Sequence, residues 1–117
     1  MVLVDTSVWI QHFRHGQASL SSRLADGLVL MHPFVSGELA CGNLKDRSEV
    51  LFCLNEMPAA KLATHGEVMT LMEKHRLWGR GLGLVDLHLL ASALLSNCGF
   101  WTFDKKLAQA SADLGLD

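Results

Sequence analysis

The sequence predicts an α/β domain in which helices pack on both faces of a parallel sheet. Three observations carry that expectation. Short apolar runs at 2–5, 28–31 and 100–103 read as buried strands. Between them lie segments with apolar residues at helical spacing, and alternation of strand and helix is what a parallel sheet requires. The turn-forming residues Gly27, Pro58, Gly79, Gly81, Gly83, Asn97 and Gly99 fall between these segments rather than inside them.

Taken in order, residues 2–5 form the first strand, and a helix follows at once from about Thr6 to Arg14. Residues 18–26 make a second short helix that Gly27 closes. Leu28-Val29-Leu30-Met31 is the next strand, and Pro33 suits the first turn of a third helix. A fourth helix covers about Asp46 to Glu56 and is stopped by Pro58. A fifth, about His65 to Leu77, carries Val68, Leu71, Met72 and His75 at helical spacing. Gly79-Arg80-Gly81-Leu82-Gly83 then breaks the chain before an apolar helix, Leu84 to Ser96, that must be buried on most faces. Asn97 and Gly99 end it, the strand 100–103 follows, and a last helix begins near Asp104.

At 117 residues the expectation is one domain, 1–117, long enough to bury a core. Half of the residues are apolar and only 19% are charged, so some apolar surface is expected to be covered by a partner or a second copy. No apolar run reaches the roughly 18 residues of a membrane span. The first strand begins without a basic leader, so no signal peptide is expected. Cys41, Cys53 and Cys98 are odd in number and far apart, which fits a reduced, cytoplasmic compartment. The net charge of −2 excludes a generally basic nucleic-acid coat but not a local basic rim drawn from Arg14, Arg76, Arg80, Lys105 and Lys106.

Four acids stand in apolar surroundings: Asp5, Glu38, Asp86 and Asp104. Asp5 and Asp104 follow strands, at the carboxyl ends where open parallel sheets build their sites. A buried carboxylate is costly unless it is paired, hydrogen-bonded or bound to a metal. If the four converge, hard oxygen ligands favour Mg²⁺ or Mn²⁺. Like charges about 4 Å apart repel by about 4 kcal/mol at an effective dielectric of about 20, so without a metal the site should hold a proton or be partly disordered. Taken singly, Asp5, Asp86 and Asp104 can each be read as helix caps. Glu38 cannot, because it lies within a helical segment, and capping gives no reason for Thr6, Ser7 and Thr102 to stand beside the acids. Those hydroxyls could orient the carboxylates.

Four segments, in order, resemble the PIN-domain family, in particular the VapC toxins of bacterial toxin–antitoxin pairs. They are Val2-Leu3-Val4-Asp5-Thr6-Ser7-Val8-Trp9-Ile10, Ser36-Gly37-Glu38-Leu39, the stretch from Gly79 through Asp86 to Ala93, and Trp101-Thr102-Phe103-Asp104-Lys105-Lys106-Leu107. The resemblance implies a three-layer α/β/α fold around a parallel sheet of four strands, with a fifth in relatives that add a final strand. It implies a Mg²⁺- or Mn²⁺-dependent endoribonuclease, using one or two ions, that cuts a structured RNA such as transfer or ribosomal RNA. A cognate VapB-like antitoxin and a homodimer are the implied partners, with no membrane. By the same carry-over Asp5, Glu38, Asp86 and Asp104 are the catalytic, metal-holding acids, backed by Thr6, Ser7 and Thr102. A further acid that some relatives carry near the fourth has Asp113, nine residues on, as its nearest counterpart.

Other features are weighed against simpler readings. Gly79-x-Gly81-x-Gly83 lacks the spacing of a dinucleotide loop and reads as a connector that lets Arg80 reach RNA phosphate or a neighbouring acid. Lys105 and Lys106 are either a solvated first helical turn or phosphate contacts. His12 and His15 lack a third metal ligand and read as exposed, while His88 reads as packed or at an interface. Trp9, Phe13, Phe34 and Trp101 are core residues or stacking platforms, and Trp9 with Phe13 best fits a groove for an antitoxin helix. Two rivals remain: a non-catalytic binding or regulatory module on the same fold, and a Mg²⁺-dependent phosphatase. The phosphatase normally needs a second Asp where this chain has Ser7.

Overall fold

Three short parallel strands hold the centre of the structure, a computed structural model that describes residues 1–116. They are β1 (Val2–Val4), β2 (Val29–Leu30) and β3 (Gly99–Trp101), in the order β2-β1-β3. β1 is central, with Leu3 paired to Leu30 on one side and to Phe100 on the other. Its three residues are all buried, as a strand covered on both faces must be.

Seven helices surround the sheet: α1 (Thr6–His15), α2 (Ala18–Ala25), α3 (Pro33–Cys41), α4 (Arg47–Asn55), α5 (His65–Lys74), α6 (Leu84–Leu95) and α7 (Lys105–Asp113). Each matches a helix expected from the sequence, with ends shifted by a few residues. α5 is the largest change, stopping before Leu77 because Arg76 takes a left-handed backbone at φ 53°. Leu77 is nevertheless buried and packs back into the core. α6 is less enclosed than its composition predicts. Leu87 and the run from Leu89 to Ala93 are buried, but Leu84, Leu94 and Leu95 face outward.

The sheet has three strands among the described residues, not the four or five expected. A single bridge, Met31 to Ala59, stands where a fourth would pair with β2. Met31 donates its N–H to the Pro58 carbonyl (2.8 Å) and accepts from Ala60 (2.9 Å). Pro58 has no N–H to carry the ladder further, so the pairing stops there. Among the described residues, those after α7 do not form a fifth strand either. Leu116 folds back on α7, donating to the Ser111 carbonyl (2.9 Å) and accepting from the Ser111 hydroxyl (3.0 Å).

The core is aliphatic: Leu3, Val4, Val8, Leu20, Val35, Leu89, Leu90 and Leu107 are among its least exposed side chains. No helix among the described residues is long and apolar enough to cross a membrane. α5 begins with a reciprocal cap, in which Thr64 Oγ1 accepts from the Glu67 N–H (3.1 Å) and Glu67 Oε1 from the Thr64 N–H (2.9 Å). Thr64→Ala is expected to lower stability by about 1 kcal/mol, read as a shift in the urea midpoint.

Candidate active site

Asp5 leaves the central strand and enters α1, where a capping aspartate would turn its carboxylate to the helix N–H groups. It does not. Asp5 stands at the N-cap position with extended backbone, and its side chain makes no cap bond. Instead its Oδ2 accepts from Ser7 Oγ and from Thr102 Oγ1, both at 2.7 Å. Each hydroxyl has one proton, and each gives it to Asp5. Their lone pairs are used as well: Ser7 Oγ accepts the Phe103 N–H and Thr102 Oγ1 accepts the Asp104 N–H, both at 3.0 Å. The β3–α7 turn is thus pinned to the end of β1, and one buried carboxylate is aimed by hydroxyls from both ends of the chain.

Asp104 lies beside it at the start of α7. It does cap, with Oδ1 accepting from the Leu107 N–H (3.0 Å), and it remains exposed. Asp86, half-buried in the first turn of α6, reaches back to accept the Gly83 N–H at 2.9 Å. Burial raises the Asp86 carboxyl above the usual carboxylate range, the Gly83 N–H draws it back, and the charges of Asp5 and Asp104 raise it further. Those charges place the three acids in one field. Glu38, on α3, is exposed rather than enclosed, and joins the group through Thr6, whose hydroxyl donates to its Oε1 at 3.0 Å.

The donor chemistry fits a hard divalent cation: carboxylate oxygens around a buried, hydroxyl-oriented Asp5, with a neighbour whose ionisation is opposed by the other two. Among the described residues, however, no three His, Cys, Asp or Glu side chains are grouped closely enough to hold an ion as they stand. Asp5, Asp86 and Asp104 therefore share an electrostatic environment rather than one closed coordination sphere.

Around the acids lies a mixed rim. Lys105 and Lys106 are exposed on the first turn of α7. Lys106 rests on the glycine loop so closely that a Cβ at Gly81 would lie 2.8 Å from its Nζ, and Gly81 itself has a φ of +78°. The backbone favours glycine there, whereas the lysine end is flexible and could swing aside. Arg80 is paired with Asp113 at the far end of α7 (2.8 Å), and Asp113 also accepts from Gln109 (2.9 Å). The sequence reading of Asp113 as a counterpart of a further site acid did not anticipate that pairing. The contact holds the glycine loop against α7, and the Asp113 carboxyl is lowered by Gln109 first and Arg80 second.

Trp9 and Phe13 line a groove of about 860 Å³ between α1 and α4, closed by Phe52, Leu54 and Met57. Trp9 is only 2% exposed, and its indole Nε1 has no hydrogen-bond partner. His88 packs edge-on against Phe34 (5.1 Å). His12 Nδ1 accepts from the Gln17 N–H (3.1 Å), a local turn contact rather than a ligand position. Sequence reasoning passed over the Gly83 N–H that holds Asp86 and the exposed ring of Phe103 beside Asp104.

Comparison with known proteins places the chain in a family. Residues 2–113 match the PIN domain family. Two curated relatives, both named Ribonuclease VapC32, come from Mycobacterium tuberculosis strains CDC 1551 / Oshkosh and ATCC 25618 / H37Rv. Each is 47% identical to this chain over 117 residues, covering 99% of this chain and 94% of the relative. With that match spanning every element that positions the four acids, the chain belongs to the PIN domain family.

Proposed function

We propose that this chain is a VapC-type toxin, an endoribonuclease that uses a divalent cation, Mg²⁺ or Mn²⁺, and is neutralised by a VapB-like antitoxin. The observation that carries the reading is Asp5, a buried carboxylate that forgoes its helix cap and is held by two hydroxyls 95 residues apart. A binding module that had lost the reaction has no need to fix a desolvated charge so tightly. The phosphatase reading fails at Ser7, whose hydroxyl is spent in orienting Asp5 and supplies no acid.

In this reading Asp5, Asp86 and Asp104 hold the cation, with Glu38 completing the group from α3. When bound, such an ion polarises the phosphoryl group and acidifies a coordinated water. Ser7 and Thr102 fix the direction of the Asp5 carboxylate, and Thr6 does the same for Glu38. The Gly83 N–H holds Asp86 toward the site, against a burial that favours its protonated form. Lys105 and Lys106 offer charge to the phosphates that flank the cut, and Arg80 joins them by exchanging Asp113 for phosphate. That exchange is easy, because the pair is exposed and screened by solvent. A structured RNA, transfer or ribosomal, is the proposed substrate.

The remaining assignments belong to the same reading. The Trp9–Phe13 groove receives an apolar antitoxin helix, with the exposed Phe13 and Phe52 rings as its contacts. Residues 1–117 act as one cytoplasmic domain, and the outward-facing Leu94 and Leu95 are consistent with a homodimer.

The deciding experiment is cleavage of total RNA by the purified protein in Mg²⁺ or Mn²⁺ against EDTA. The expected result is a discrete product that appears only with metal, together with a rise in thermal midpoint on adding Mn²⁺. Absence of both effects overturns the reading.

A further inference from the structure

Phe103 lies between Thr102, which holds Asp5, and Asp104, which caps α7, yet its ring is 47% exposed. A single exposed apolar side chain is ordinary. This one differs in how firmly it is presented. Its N–H is fixed by Ser7 Oγ (3.0 Å), the same oxygen that donates to Asp5. Its ring meets Trp101 edge-on, at 5.9 Å between centroids and 84° between planes. Trp101 also carries the Arg23 guanidinium over its ring, 5.5 Å from the centroid. Arg23 and Phe103 thus both contact Trp101, and Phe103 directly precedes Asp104 in the chain.

The two lysines that follow, Lys105 and Lys106, are exposed on the same turn. Single-strand readers combine such cations, which track the backbone, with aromatic faces on which bases stack. A ring already held by its backbone and by a neighbour loses little freedom when a base lands on it. From this juxtaposition we infer that Phe103 is a stacking platform for an unpaired base of the bound RNA, and the residue through which the site prefers single strand to duplex. The inference rests on the nuclease reading of the acids and adds the residue that sets its preference. A paired base cannot offer its face without leaving the helix stack, so discrimination follows from geometry alone.

The test is binding of a short mixed-sequence oligoribonucleotide, free or annealed to its complement, in EDTA and again in Ca²⁺. The parent chain is compared with Phe103→Ala, Phe103→Leu and Phe103→Trp. Phe103→Ala and Phe103→Leu are expected to lose about tenfold in affinity for the single strand, with duplex binding unchanged and Phe103→Trp at the parent level. With the RNA that the protein cuts, the same losses should appear in KM and leave kcat within a few-fold. Equal binding by Phe103→Ala and the parent overturns the inference, and so does a Phe103→Leu variant that binds as the parent does. Parallel loss of single strand and duplex, or no binding by the parent in either buffer, overturns it as well. Binding and cleavage fail separately: a parent that binds as expected but cuts no RNA refutes the nuclease reading and leaves the platform standing.

Discussion

Replacing Asp5 with Asn is expected to leave the protein folded and to lower RNA cleavage by at least about 10³-fold. The amide has the same shape, and its oxygen can still accept from Ser7 and Thr102, so the hydroxyl clasp survives. What is lost is the charge. Removing it also relieves Asp86, whose ionisation Asp5 opposes, so the thermal midpoint should hold or rise slightly. Ser7→Ala and Thr102→Val provide the graded comparison. They keep the carboxylate but loosen its aim, and a loss of about 10- to 100-fold is expected for each. Initial rates on one RNA, paired with thermal melts of the same preparations, check all three. An Asp5→Asn rate within about threefold of the parent would sink the assignment of Asp5.

The second large effect is on stability. His32 is 2% exposed at the start of α3, where its Nδ1 accepts the Phe34 N–H at 3.0 Å. Burial, and then the nearby His88, lowers its pKa from 6.5 to about 4. The folded protein therefore refuses a proton that the unfolded chain accepts between about pH 6.5 and pH 4. Stability is full above that window and falls as the pH drops through it, because the unfolded state then binds more protons. The shift corresponds to about 3 kcal/mol as an upper bound. His32→Asn keeps an acceptor at the cap and carries no titrating group. Carboxylates also titrate at the acid end, so the quantity to follow is the difference between parent and variant. Urea midpoints from pH 7 to pH 4.5 should fall more steeply for the parent. Parallel curves would exclude His32 as the cause.

Much of the fold is legible because this chain punctuates itself. Pro33 opens α3, the glycine run precedes α6, and Asn97 turns the chain into β3 with a φ of 52°. The fourth strand was misjudged for a reason that periodicity does not carry: one proline beside β2 ends a ladder after a single pair. The candidate site was legible as a set of residue types in order, but not as roles. A capping aspartate and a site aspartate look alike in sequence, and only the hydrogen bonds separate Asp104, which caps, from Asp5, which does not. Glu38 stands among apolar neighbours in sequence and yet faces outward, because α3 buries Val35 and Leu39 on its other side. Arg80 was read as reaching either RNA phosphate or a neighbouring acid; it meets an acid, but nothing local marks Asp113, 33 residues away, as that acid. Phe103 was passed over because an aromatic beside a strand reads as core.

The bond from Thr102 to Asp5 joins residues 97 positions apart. Contacts of such long sequence separation close late, since the loop entropy must be lost before the contact forms. During synthesis, where chains emerge at about 5–20 residues per second, the first acid leaves the ribosome long before the hydroxyl that aims it. A nascent chain therefore carries Asp5 without its clasp, and a truncated product ending before β3 never acquires it. Competence therefore waits for β3 and the turn into α7, and the site stays unfinished until those residues have been made.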